Sequence, residues 1–353
     1  MAKLMKQAGV FDRDGGVAVE VTEAPIPTPG KGQVLIKVIV TGTNPKDWKM
    51  LVWFPESNGV NTGDDIAGIV EAVGEGVTEF KPGDRVSSFH EMRTPNGSFA
   101  EYAIGQADTT FHLPASMTFE EAATIPLAAG TAAAALFVKL GLPEPWVKHR
   151  DPSVSDGVVI YGGSTAIGAY AIKLLQKADI HPIYVVAGKA RDFVSGLIDT
   201  AKGDRLFDYR VGKDALVAEI KEALGARRPK FAFDTVSENG TTQTVAEVLD
   251  PAARLTTSLP DIDESGNLVA KAEGVPDGLE VTFTSVGSLH KEEKDFATAW
   301  YRLFGRGIRE GWFTPHPYES IPGGLEGVGE ALSNLRAGKA SAVKYVIRVA
   351  ESA

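Results

Sequence analysis

The sequence predicts an α/β protein of two parts, a compact barrel-like β domain and a doubly wound parallel sheet of six strands. Three observations point there. The first third is rich in short apolar runs broken by Gly and Pro turns. The middle alternates six short apolar runs with helix-length segments. One of those runs ends in a glycine cluster that opens an apolar-faced helix. At 353 residues the chain is long enough for two domains sharing a cleft.

Taken in order, residues 34–40 (VLIKVIV) carry one charge, Lys37, and read as a largely buried strand. Residues 65–73, 84–90 and 97–104 supply further strands, with turns at Gly74-Glu75-Gly76 and Lys81-Pro82-Gly83-Asp84. Short strands at this spacing make the barrel-like domain. An Ala-rich helix follows near 119–139. The six runs are 158–161 (VVIY), 183–187 (IYVVA), 205–208 (RLFD), 231–235 (FAFDT), 254–259 (RLTTSL) and 281–285 (VTFTS). Parallel strands joined through helices complete one dinucleotide-binding sheet. The polar, Gly-rich segment 260–280 reads as a surface excursion. A helix from Lys291 to about Gly307, a Pro-rich turn and a helix near 324–338 come next. The strand at 343–349 (VKYVIRV) is expected to return to the first domain.

Composition narrows the function. A net charge of −10 argues against general nucleic-acid binding, which needs a broad basic face. No run approaches the roughly 18 uninterrupted apolar residues of a membrane helix. The start, Met1-Ala2-Lys3-Leu4-Met5-Lys6, lacks the apolar core of a secretory signal, so a cytoplasmic protein is expected. Cysteine is absent, which excludes disulfides, thiolate nucleophiles and Cys-built zinc sites. The six histidines lack ligand spacing, and His90, beside Glu91, reads as surface or core; no metal is expected.

The sharpest motif is Val158-Val159-Ile160-Tyr161-Gly162-Gly163-Ser164-Thr165-Ala166-Ile167-Gly168. A buried strand ends at glycines that allow a tight turn, and a helix begins with Ile167, Ala171, Leu174 and Ala178 on one face. Its first amides and positive dipole end suit a pyrophosphate. Against the GxGxxG fingerprint Gly163 and Gly168 fit, while Thr165 replaces the middle glycine. The Ser164 and Thr165 hydroxyls are then expected to donate to phosphate oxygens. An ordinary strand-to-helix turn is the alternative.

The second strand ends in Val186-Ala187-Gly188-Lys189-Ala190-Arg191, with no acid before Asp192. NAD sites place Asp or Glu there. Lys189 and Arg191 instead suit a 2′-phosphate, which favours NADPH, unless both are merely solvated cations at a helix start.

With these residues in place the chain resembles the zinc-independent, quinone-reductase-like branch of the medium-chain dehydrogenase/reductase superfamily. Within it the chain is most similar to fungal trans-acting enoyl reductases of the lovastatin enoyl reductase type. The likeness runs through Asn44-Pro45-Lys46-Asp47, Gly63-Asp64-Asp65-Ile66-Ala67-Gly68, Val73-Gly74-Glu75-Gly76-Val77 and Lys81-Pro82-Gly83-Asp84-Arg85-Val86. It continues in Gly97-Ser98-Phe99-Ala100-Glu101-Tyr102, Ile125-Pro126, Gly130-Thr131-Ala132, Tyr161 to Ala166, Phe207-Asp208-Tyr209-Arg210, and Gly338-Lys339 with Lys344. The resemblance implies a GroES-like catalytic domain from 1–125 and 291–353, and a Rossmann domain from 126–290. Zinc-dependent relatives hold metal with a Cys near the position of Asn44 and a His-Glu pair near Asp64-Asp65, all replaced here.

The resemblance also implies a reaction. Hydride addition to a conjugated double bond pushes charge onto the carbonyl oxygen, and that charge needs donors. By similarity these are Lys49 and Thr131, with a solvated lysine after a turn and a helix-packing hydroxyl as the alternatives. Asn44 and Asp47 read as a self-bonded turn. Tyr209 is expected to touch the adenosine phosphate and Lys344 the cofactor. Trp48, Trp53, Phe54, Phe89 and Met92 suggest an apolar substrate, or are core fillers. The expected partner is a small unsaturated carbonyl or quinone, or an acyl chain on a carrier domain. An aldehyde or ketone reductase is the runner-up, and a cofactor-binding protein without turnover the third reading. A monomer is slightly favoured, because the polar insertion precedes the sheet-edge strand at 281–285.

Overall fold

The computed structural model describes residues 3–147, 152–263, 265, 267–270 and 273–350. It divides into two compact units, one containing the residues up to Gly130 and from Gly287 onward, the other Thr131–Val286.

The first unit opens with a hairpin, β1 (Leu4–Arg13) and β2 (Gly16–Pro25), paired antiparallel from Leu4↔Pro25 to Arg13↔Gly16. Asp14 and Gly15, at φ 52° and 73°, turn the chain in two residues, the geometry that matches the twist of the flanking strands. β3 (Gln33–Gly42) follows, then α1 (Pro45–Trp53), β4 (Asp65–Val73), β5 (Arg85–Phe89), β6 (Tyr102–Gln106) and β7 (Thr110–His112). β3 is central and buried along most of its length: it pairs with β4 along one edge and with β6 along part of the other. Bulges at Leu35/Ile36 and Val38/Val40 bend it.

Two short helices come next, α2 (Phe119–Ala122) and α3 (Pro126–Ala133), and α3 runs on into a wider π turn over Ala134–Lys139. The single helix expected over 119–139 is therefore broken, with Pro126 at its second start. By length and composition Phe119–Lys139 qualifies as a membrane span, but 89% of its most apolar window is buried inside the protein.

The second unit carries β8 (Val158–Tyr161), α4 (Ala166–Lys177), β9 (Ile183–Ala187), α5 (Arg191–Ser195), β10 (Arg205–Asp208) and α6 (Lys213–Leu224). It goes on with β11 (Phe231–Asp234), α7 (Thr241–Ala246), β12 (Arg254–Thr257), β13 (Asp261–Ile262), β14 (Leu268–Val269) and β15 (Glu280–Phe283). The sheet order is β10-β9-β8-β11-β12-β15, parallel throughout, as a doubly wound dinucleotide-binding sheet requires. Val159, Val186, Phe207, Leu216, Ile220, Ala232 and Leu255 form its core. β13 and β14 make a small exposed hairpin inside the polar excursion.

After Val286 the chain rejoins the first unit through α8 (Lys294–Glu310), β16 (Tyr318–Ile321), α9 (Gly327–Arg336) and β17 (Lys344–Arg348). β17 pairs with β3, Val346 opposite Gly42, which brings the C-terminal segment beside the start of α1. One expected strand moves: 97–104 becomes Tyr102–Gln106, because residues 97–101 bend inward and only Ala100 bridges, to Gln7.

Candidate active site

The glycine motif forms a cradle within the second unit. Gly162 sits at φ 85° at the end of β8, and its amide and that of Gly163 both donate to Val186 O, at 2.9 and 3.0 Å. No side chain fits here. A Cβ on Gly163 would lie 2.2 Å from Val185 Cγ1, and one on Gly168 would lie 2.3 Å from Gly162 O. The first-turn amides of α4, Ala166 and Ile167, therefore open the helix with no intrahelical acceptors.

The Thr165 hydroxyl caps the helix: it accepts from Gly168 N at 2.9 Å and lies 2.9 Å from Thr235 Oγ1. Thr235 donates to Tyr161 O or Gly162 O, at 2.8 and 3.1 Å, so within the protein Thr165 donates to Thr235. Ser164 stays outside this chain of bonds, half-buried at the turn.

Beside the cradle, Tyr209 lies across Gly188, where a Cβ would meet its ring at 2.4 Å; its ring centroid is 6.5 Å from that of Tyr161. Lys189 is exposed and Arg191 half-exposed. Arg191 stands 4.0 Å from Asp208, which Arg210 grips through two nitrogens at 2.9 and 2.6 Å. Those bonds hold the Asp208 carboxyl down to about 2. Lys189, Arg191 and Arg210 outnumber Asp192 and Asp208, so the β9–β10 end of the cradle keeps an excess of positive charge. Arg210 was not singled out from the sequence, although it stands in the quoted Phe207–Arg210 tract.

The polar centre of the first unit is built differently. Asn44 precedes α1, and its amide donates to Asp47 at 2.8 Å, the self-bonded arrangement read from the sequence, here closing a helix start. Lys46 is shared between Asp47, at 3.0 Å, and Asp64. Burial works against the Lys46 charge, but the two carboxylates overcome it and hold the ammonium well above the usual lysine range. Burial pushes Asp47 up to about 7 against the pull of Lys46, and raises Asp64 likewise.

Next to this group, Asp65 and Lys344 pair at 2.7 Å. Lys344 is only 4% exposed, and it also donates to Asn44 at 2.8 Å. Lys344 was expected to reach the cofactor; the structure places it inside the first unit, its charge matched by Asp65. The Asn44 and Asp64-Asp65 positions, where zinc-dependent relatives bind metal, thus face two lysine ammoniums. Among the described residues no group of three or more His, Asp or Glu stands ready for a metal ion.

Lys49 is buried on α1 with its ammonium 4.8 Å from the Trp48 ring, and Thr131 is buried on α3. A cavity of about 190 Å³ in the first unit is lined by Lys46, Met50, Val60, Thr62, Asp64 and Met92, among others. Of the aromatic residues expected around a substrate, Phe89 is fully buried against His290, and Phe54 lies under the Arg93 guanidinium at 4.5 Å.

The alcohol dehydrogenase GroES-like domain family matches residues 30–115. The trans-enoyl reductase fsr4 of Gibberella fujikuroi is 42% identical over 330 residues, which are 92% of this chain and 93% of that protein. The fold is similar to that of CurK enoyl reductase, with a TM-score of 0.75 at 17% identity, covering 98% of this chain and 99% of that one. It is also similar to crotonyl-CoA carboxylase/reductase AntE in complex with NADP, with a TM-score of 0.71 at 20% identity, covering 98% and 95%.

Proposed function

The chain belongs to the medium-chain dehydrogenase/reductase superfamily, with the fungal trans-enoyl reductases, and on that premise we propose that it is an NADPH-dependent, metal-free reductase of activated carbon–carbon double bonds. The carrying observation is the side-chain-free cradle at Gly162, Gly163 and Gly168, in a chain 42% identical to a trans-enoyl reductase over 92% of its length. An NADP complex in a relative of the same fold supports the choice of cofactor.

In this reading NADPH, when bound, supplies the hydride. The Gly162–Gly168 turn, with Ser164, Ala166 and the first amides of α4, holds the diphosphate. Lys189, Arg191 and Arg210 attract the 2′-phosphate, and Tyr209 packs on the adenosine side. The Lys49 ammonium and the Thr131 hydroxyl stabilise the enolate oxygen as charge develops on it. The seating of Lys46 and Lys344 against Asp64 and Asp65 supports the metal-free part. A cytosolic setting belongs to the same proposal.

The test is NADPH consumption with a panel of enones, enoyl thioesters free and on a carrier domain, quinones and aldehydes. Turnover of enones or enoyl thioesters is expected. Aldehyde turnover alone, or NADPH binding without turnover, overturns the reading. Lys49→Ala and Thr131→Ala should each lower kcat by about 100-fold while NADPH affinity changes little. Full turnover in both removes them from the site.

A further inference from the structure

We propose that Asp65, with Asn44 and Lys344, is a positioning centre that holds the starts of two helices at once, α1 with Lys49 and α3 with Thr131. The roles of Lys49 and Thr131 rest on the enoyl reductase reading; the junction itself rests on geometry.

Asp65 is fully buried, and both its oxygens are used. Oδ1 accepts Leu127 N in the first turn of α3 at 2.7 Å. Oδ2 accepts Asn44 Nδ2 and Lys344 Nζ, each at 2.7 Å. Lys344 closes the ring by donating to Asn44 Oδ1 at 2.8 Å. Three segments distant in sequence therefore meet on one carboxylate. A buried charge so completely bonded has few alternative positions, because each shift would strand a donor.

Each arm of the junction leads to a proposed catalytic group. Asn44 is the residue before α1, and Lys49 lies one turn inside that helix. Leu127 is the second residue of α3, and Thr131 follows it by four residues, on the same face. A negative charge at the first turn of α3 also suits the positive end of the helix. Tyr301 adds a second tie, donating to Pro126 O at 2.8 Å.

The surrounding chain is cut to fit this junction. A Cβ on Gly42 would stand 2.3 Å from Ala123 O, 3.0 Å from Lys344 Cε and 3.1 Å from Asp65 Cβ. The absent side chain lets β3, the Lys344 stem and the segment leading into α3 close around the carboxylate. A loosened junction would shift both helix starts, and a displacement near 1 Å at a reacting centre costs about 100-fold in rate. Asp65, Asn44 and Lys344 act through Lys49 and Thr131, not on substrate.

The experiment uses the full chain with Asp65→Asn and the double variant Asp65→Asn/Lys344→Met, which removes both charges. Both should lose about 10- to 100-fold in kcat with KM for NADPH held within about twofold. The double variant should recover thermal stability without recovering kcat. Hydrogen exchange should quicken in both Asp47–Trp53 and Leu127–Ala133, and stay unchanged in α9. If kcat returns together with stability, the junction is only structural and the proposal is overturned. Folded variants with parental kcat and parental exchange overturn it as well. If the parent reduces no enone, the enoyl reductase reading fails by itself, and the paired exchange of the two segments alone decides the positioning.

Discussion

The two units hold their chemistry by opposite means. The first concentrates charge: Asp47, Asp64 and Asp65 lie buried against Lys46 and Lys344. The second keeps side chains out and presents backbone, at Gly162, Gly163 and Gly168. A centre of paired charges depends on what is present, and removing one partner strands the other. A cradle of bare backbone depends on what is absent, and it fails by addition.

That contrast is open to direct attack. Lys46→Met, which leaves Asp47 and Asp64 without their shared ammonium, should destabilise the protein by about 3–5 kcal/mol in urea unfolding. A neutral result would mean that the charges are not coupled as described.

Acid should act on the first unit's buried titratable side chains, whereas the bare backbone at Gly162, Gly163 and Gly168 carries none. His290 is depressed to about 4 by burial, with Nε2 near Thr109 and Phe89 O, and with His90, Asp108 and Lys294 around it. Between that value and its unfolded 6.5 the unfolded chain takes up a proton that the folded one refuses. Its contribution is thus complete above the window and lost as pH falls through it, up to about 3 kcal/mol. Unfolding curves across the window should flatten in His290→Phe; an unchanged slope assigns the acid sensitivity elsewhere.

Addition tests the cradle. Gly168→Ala should cost about 1–3 kcal/mol and lower NADPH affinity by roughly tenfold in a binding titration. Retained affinity would show that the turn tolerates a side chain after all. The smallest effect is expected where the second unit does use charge: Arg191→Ala should reduce the preference for NADPH over NADH by roughly tenfold, about 1.4 kcal/mol. An unshifted preference would leave Lys189 and Arg210 as the discriminating pair.

Periodicity made the second unit legible: each of its six strands is short, apolar and followed by a turn, so local pattern and tertiary role agree. The first unit was harder to read. β1 alternates apolar residues with Lys6, Gln7 and Asp12, and its partner β2 is half-exposed, so neither stood out as strand. Residues 44–47 read as a turn because Asn-Pro-x-Asp bonds to itself in turns and at helix starts alike. The cradle glycines were visible, but the bond of the Thr165 hydroxyl to Thr235 was not, because Thr235 lies 70 residues away. Lys344 was noticed without its ion pair for the same reason: Asp65 stands 279 residues earlier. Contacts of that span leave no trace in a local window.

The late position of β17 has a consequence for biosynthesis. The strand that brings Lys344 to Asp65 emerges from the ribosome after the whole second unit has been made. Residues 131–286 can fold while translation continues, whereas Asp65 and Asn44 wait for a counter-ion still being polymerised. A transcript truncated before Lys344 would thus yield a product with its nucleotide-type sheet complete and an acidic gap in its other half.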